Sequence, residues 1–222
     1  MYKRQTYVEE LKGTKVGVSR LGSGSHVMAS VLAATHGWTT GLTAAQNKFV
    51  ECGAFADLRT AVTEGKADWF MWEHYTTKKY WDNGELKRLG QLETPWPAWH
   101  IAAVGERADE RVARHLLPAL TKGVRHFQAN REEAVSWITE NMEYSQEDAE
   151  AWYQGVGFAS RKQMGVLDET VMTNAVGILE KAGAVGDRRI LEASALQAVD
   201  AERYLMSGSE EFEEESELLR RG

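Results

Sequence analysis

The first hundred residues alternate between short apolar runs and longer amphipathic stretches. Lys15-Val16-Gly17-Val18-Ser19 reads as a strand, with Gly13 behind it and Gly22-Ser23-Gly24-Ser25 ahead. Val27 to Ala33 then reads as a helix ending near Gly37, apolar round most of its circumference and so expected to be well buried. Phe49-Val50-Glu51-Cys52 is a second strand, and Ala54 to Thr63 a helix stopped by Glu64-Gly65-Lys66. Ala67 to Glu73 is a third strand, nearly all apolar at its centre, as a strand covered on both faces should be. His74 to Trp81 is a short helix ended by Asp82-Asn83-Gly84. Leu86 to Leu92 and Trp99 to Val104 read as fourth and fifth strands. Between them, Glu93-Thr94-Pro95-Trp96-Pro97 is irregular, because proline biases the residue before it away from helix. Strands alternating with helices predict a mostly parallel sheet.

After Gly105 the periodicity is helical only. Val112, Leu116, Leu120, Val124 and Phe127 form one stripe, with Pro118 inside it predicting a kink or a break. Asn130 stands where it can cap the next helix, with Glu133 at the capping-box position. Ser145 and Asp148 repeat that signature before Trp152. Val171, Ala175, Ile178, Leu179 and Ala182 make another stripe, closed by Gly183. A last helix is predicted from about Arg189 to Met206, then a glutamate-rich, solvated end from Ser207 to Gly222. These later helices have no strands of their own to cover. Either they form a small bundle, or the strands they cover lie upstream of Met1.

Composition removes several function classes. The 222 residues carry a net charge of −7, the opposite of the basic stripe a nucleic-acid binder needs. With 43% apolar residues the chain can build a core, and its 27% charged residues are of mixed sign until the last stretch. Cys52 is the single cysteine, which excludes an intramolecular disulfide and a cysteine-based zinc site; it reads as an apolar filler. No apolar stretch approaches the ~20 residues of a membrane helix, and the start shows no signal-peptide core.

Three groups of residues can carry chemistry. The first is the turn between the first strand and helix, with Ser19, Gly22, Ser23, Gly24, Ser25 and His26. Small residues let a ligand approach the backbone, and free N–H groups at a helix start favour an anion or a carbonyl. It is neither a dinucleotide fingerprint, since Val27 follows where glycine is needed, nor a phosphate loop. The second is the end of the third strand, Trp72, Glu73 and His74, where α/β sheets place ligands. Glu73 is either a partner for a cationic ligand group or a cap on the next helix. The third is aromatic: Phe55, Trp72, Trp96 and Trp99 offer flat walls to a planar ligand, or simply pack a core. No nucleophile elbow or zinc helix is present, and the histidines show no metal-ligand spacing.

Five segments bear a resemblance to a known family. Leu11-Lys12-Gly13-Thr14-Lys15-Val16-Gly17-Val18 resembles the opening of the second lobe of type II periplasmic-binding-type proteins, and Gly65-Lys66-Ala67-Asp68 resembles a later strand of that lobe. Ser19 to His26, Phe70 to Tyr80 and Thr94 to Trp99 are similar to the branch that includes alkanesulfonate-, nitrate- and thiamine-pyrimidine-binding proteins and fungal intracellular relatives.

That resemblance implies an α/β chain of the periplasmic-binding-protein-like type II class. One complete α/β lobe is joined to the C-terminal helical part of the other, and the N-terminal part of the family pattern is missing. Residues 1–10 would be a hinge remnant, 11–104 lobe two with the return crossing, 105–206 the helical remainder of lobe one, and 207–222 an acidic tail. The implied function is a solute-binding protein, not an enzyme, that hands a small organic molecule to an ABC importer permease. No cofactor, nucleic acid or membrane span is implied. The location would be periplasmic if a signal sequence lies upstream, otherwise cytoplasmic. The alternatives are a pyrimidine or thiamine-precursor enzyme using His26 or His74 as base, and a cytoplasmic ligand sensor. By position, Ser23, Gly24, Ser25 and His26 would face the cleft from the first helix, Trp72 and Glu73 from the third strand and Trp96 from the crossing.

Overall fold

A computed structural model describes residues 7–38, 48–97, 99, 101, 110–159 and 168–181. The chain divides into two compact units, Met1–Ala98 with Thr170–Glu192, and Trp99–Glu169 with Ala193–Gly222.

The first unit is built on a parallel three-stranded sheet. A 3-10 turn, Val8–Leu11, leads into β1 (Lys15–Val18), then α1 (Gly24–Thr35), β2 (Lys48–Glu51), α2 (Phe55–Thr63), β3 (Trp69–Phe70) and α3 (His74–Asp82). The strand order is β2-β1-β3, all parallel, with Val16 opposite Phe49 and Trp69. β1 is central, and its alternation assigns the two faces. Val16 and Val18 are buried with Ala29 of α1, Leu11 and Trp69. Gly17 points the other way, onto α2. A Cβ there would stand 3.2 Å from Leu58 Cδ2, 3.3 Å from Ala67 Cβ and 3.6 Å from Cys52 Sγ. Only glycine lets α2 pack that closely on the central strand. Cys52 is half-buried at this contact, and its thiol donates to Val50 O (3.2 Å).

β3 is shorter than the predicted Ala67–Glu73, and its start is held differently from a ladder. Asp68 N–H donates to Lys15 O (2.8 Å), while Lys15 N–H donates to the Asp68 carboxylate (2.7 Å). The buried Trp69 indole donates to Thr14 Oγ1 (3.1 Å), whose own hydroxyl donates to Leu11 O (2.6 Å).

The fourth predicted strand is not a strand. Leu86 to Leu92 runs without ladder partners. Its leucines, Leu86, Leu89 and Leu92, recur every third residue, so they cannot share one face of a period-two strand. Leu89 instead packs on the Val16–Val18 cluster, and Leu92 joins a second cluster around Val31 and Ala33 of α1. Trp99 and Ile101, of the fifth predicted strand, are not in strand conformation, and the rest of that segment lies outside the described residues. α7 (Glu169–Lys181) matches its predicted stripe, but it contributes to the first unit. Ile178 packs on Val31 and Ala33. The closing Gly183 and the predicted helix 189–206 lie outside the described residues.

In the second unit α4 (Glu110–Ala129), α5 (Arg131–Asn141) and α6 (Gln146–Gly155) surround buried Val135, Ile138 and Ala149. α4 runs on through Pro118, which costs it one backbone hydrogen bond but does not break it. Asn130 does not cap α5: its amide donates to His126 O (2.7 Å) and so closes α4 instead. The predicted cap at Ser145 is present, accepting from Asp148 N–H (3.1 Å). Tyr153 Oη bonds to the last α4 carbonyls, Phe127 O (2.9 Å) and Gln128 O (3.1 Å), satisfying groups a helix end leaves open.

Candidate functional site

The sheet topology selects where a ligand can sit. The chain leaves β1 for β2 on one side, then crosses to β3 on the other. α1 covers one face and α2 the opposite one. Order reversal of this kind opens a crevice at the carboxyl ends of the strands. Three loops meet at that edge: Ser19–Ser23 after β1, Cys52–Ala54 after β2 and Met71–Glu73 after β3. Pairing continues to the edge, since Cys52 N–H donates to Val18 O (2.8 Å) and Gly53 N–H to Ser19 O (3.1 Å). On the other side, Gly17 pairs with Phe70, the last residue of β3, and Trp72 follows two residues beyond it.

The β1–α1 loop is organised by hydroxyls. Ser25 is buried and its Oγ accepts from Ser19 N–H (3.0 Å). It also lies 2.9 Å from Ser23 Oγ and 3.4 Å from Ser19 Oγ. Ser23 caps α1, with His26 N–H donating to its Oγ (3.4 Å). Gly22 takes φ +78°, a left-handed conformation that glycine adopts without strain. Its N–H donates to His26 Nδ1 (3.0 Å). Burial lowers the His26 pKa below its ordinary value, and the Glu51 charge partly raises it again.

The three helix starts at this edge differ in charge. α3 begins at Glu73, whose carboxylate accepts from Tyr75 N–H (3.0 Å) and Thr76 N–H (2.8 Å). α2 carries Asp57 in its first turn, and that carboxylate accepts from Ala54 N–H (2.9 Å). α1 has no acidic residue in its first turn. Its positive dipole end is therefore not neutralised by a carboxylate of its own. The sequence left two readings of Glu73 open, and the geometry makes it a cap.

The aromatic residues separate into two groups. Phe55, at the start of α2, stacks on Trp72 with centroids 5.2 Å apart and rings 18° from parallel. Phe70 and Tyr80 meet Phe55 edge-on, and the Arg59 guanidinium lies 3.6 Å over the Tyr80 ring while pairing with Glu85 (2.7 Å). Trp72 remains 42% exposed, a flat wall at the carboxyl edge. Trp96, by contrast, packs with Trp38 and Leu92 against Val31 and Ala33, in the second half of α1. His74 sits against Tyr75 (4.7 Å) and Trp81 (5.1 Å) on α3. Trp99 is 91% exposed and belongs to the other unit.

Thus Ser19, Gly22, Ser23, Gly24, Ser25, His26, Phe55, Trp72 and Glu73 are gathered on or beside one edge. The sequence reading missed Arg59 and Tyr80. Arg59 follows Phe55 by four residues, a helical spacing that puts both on one face of α2. Among the described residues, no group of His, Cys, Asp and Glu is placed to hold a metal. No described helix is long and apolar enough to cross a membrane.

A solved structure of the Candida albicans CA3427 gene product superposes on this chain with a TM-score of 0.77 at 30% sequence identity. The match covers 89% of this chain and 66% of that one, so the chain spans just under two-thirds of the relative's length. That protein is described as defining a new family with the generic periplasmic binding protein fold. The fold is that of the periplasmic binding proteins. Residues 2–92 also match the family described as Ca3427-like PBP. No curated protein sequence matches the chain. The family match ends at the last leucine of the segment after α3. It therefore contains the whole carboxyl edge of this periplasmic-binding fold, from Ser19 to Glu73.

Proposed function

We propose that this chain binds a small planar organic molecule carrying an oxygen acceptor, such as a carboxylate or sulfonate, and binds it without turnover. The observation that carries the reading is the contrast between helix starts. Those of α2 and α3 are occupied by Asp57 and Glu73, whereas α1 has no acid in its own first turn; its start lies beside buried serine hydroxyls, and the nearby Glu51 carboxylate is engaged by Leu21 N–H. The helix start favours an acceptor group. Trp72, just past the end of β3, supplies the wall for a flat ring.

In the same reading the captured molecule is handed to an ABC importer, which places the protein on the outer side of that membrane. The sequence resemblance of Ser19–His26, Phe70–Tyr80 and Thr94–Trp99 to alkanesulfonate-, nitrate- and thiamine-pyrimidine-binding proteins is what supports delivery. Uptake of the ligand by cells with and without this chain tests that step.

Binding itself is tested by thermal unfolding with benzenesulfonate, an aliphatic sulfonate, nitrate, benzoate and an aminopyrimidine. A ligand at a hundred times its Kd adds about 2.7 kcal/mol. For a chain of this size that raises the Tm by roughly 5–10 °C. A planar anion is expected to give the largest rise. Stabilisation by the aminopyrimidine alone, or by none of the five, would sink the reading.

A further inference from the structure

Two neighbouring peptide N–H groups of the β1–α1 loop end on titratable side chains. Gly22 N–H donates to His26 Nδ1 (3.0 Å), from α1. Leu21 N–H donates to Glu51 Oε2 (3.4 Å), from β2. The His26 ring is itself pressed edge-on against Phe49 of β2, with centroids 4.4 Å apart. The loop that presents Ser23, Gly24 and Ser25 is thereby tied to β2 directly through Glu51 and to α1 through His26, whose ring packs on β2.

An imidazole accepts at Nδ1 only when neutral, with its proton on Nε2. Protonation turns Nδ1 into a donor facing the Gly22 N–H, and that hydrogen bond is lost. We propose that His26 and Glu51 form an acid-sensitive clasp on the ligand loop, closed near neutral pH and opened by protonation of His26. The proposal rests on the reading that this loop binds the ligand, and it assigns acid as a release signal for that site.

Among the described residues, the charged group facing the ring from the strand packed against it is Glu51. It opposes the burial that keeps the ring neutral. The sign follows: a histidine with a depressed folded pKa gives its full stabilisation above the unfolded value, about 6.5. That contribution is lost as the pH falls through the folded value. The clasp therefore opens below about pH 6.5.

The test needs no ligand. In the full chain, the Gly22 amide proton and the His26 ring are followed by NMR from pH 8 to pH 5. The expected result is that the Gly22 amide moves upfield with the same midpoint as the His26 ring, below 6.5, as its acceptor is lost. His26→Asn keeps an acceptor oxygen near the Nδ1 position and removes the titration, so the Gly22 shift becomes flat with pH. Glu51→Gln keeps an acceptor for Leu21 and removes the charge, so the His26 midpoint moves lower. A Gly22 amide that stays fixed while His26 titrates, or that titrates unchanged in His26→Asn, overturns the clasp. Neither outcome bears on whether a ligand binds, and a failed ligand panel leaves these shifts as they are.

Discussion

Leu58→Ala is expected to lower stability by about 2–5 kcal/mol, in the upper half of that range. Leu58 is fully buried, and it lies over the bare backbone of Gly17 on the central strand. Neighbours often relax into the space that a truncated side chain leaves. Here the facing residue has no side chain to move, so the cavity stays open. Urea unfolding should show a lower midpoint with an unchanged slope. The partner substitution sharpens the test. In the natural chain Gly17→Ala forces a methyl to within 3.2 Å of Leu58 Cδ2 and is expected to cost about 1–3 kcal/mol by overpacking. In the Leu58→Ala background the same methyl fills the hole, and its cost should fall or change sign. Strict additivity of the two changes would show that β1 and α2 do not meet in this way.

Trp72→Ala is expected to weaken ligand binding by about 2 kcal/mol, roughly thirty-fold, as for a central aromatic anchor. Its effect on folding should be smaller, about 1 kcal/mol, because what the fold loses is one stacking contact with Phe55. Trp72 is 42% exposed, so its truncation leaves no closed cavity in the core. The split between a large binding loss and a small stability loss separates a ligand wall from a core residue. Titration of the most stabilising panel compound against both proteins gives the first number, and urea unfolding the second. Equal losses in both would make Trp72 a packing residue.

The α/β lobe was legible because its signals are local. Val16, Gly17 and Val18 alternate with period two between glycine-rich ends, and the serines ahead of α1 form a helix start wherever the chain goes next. The same order of strands and helices brings the loops after β1, β2 and β3 to one edge of the sheet. The segment after α3 is apolar enough for a strand, but Leu86, Leu89 and Leu92 are spaced by three, and Leu89 and Leu92 go to separate clusters. Asn130 has the right side chain in the right place for a cap, but the His126 carbonyl one turn back competes for its amide. The family resemblance sets Trp96 at the cleft by position, whereas its ring packs on the second half of α1. Its contacts with Val31 and Ala33 are long-range in sequence, and no local pattern encodes them. The dual nature of Glu73 was equally local and equally undecidable. Its role depends on whether the Tyr75 and Thr76 N–H groups are satisfied by the carboxylate or by a ligand.

The most direct test follows the Gly24 and Ser25 amides and the Trp72 indole N–H by NMR while the most stabilising anionic compound is added. A ligand seated at the start of α1 against Trp72 moves these three signals first and furthest, with the α4–α6 signals little changed. Changes centred on the helical unit, with Gly24, Ser25 and Trp72 unmoved, would contradict a binding site at the carboxyl edge of the sheet.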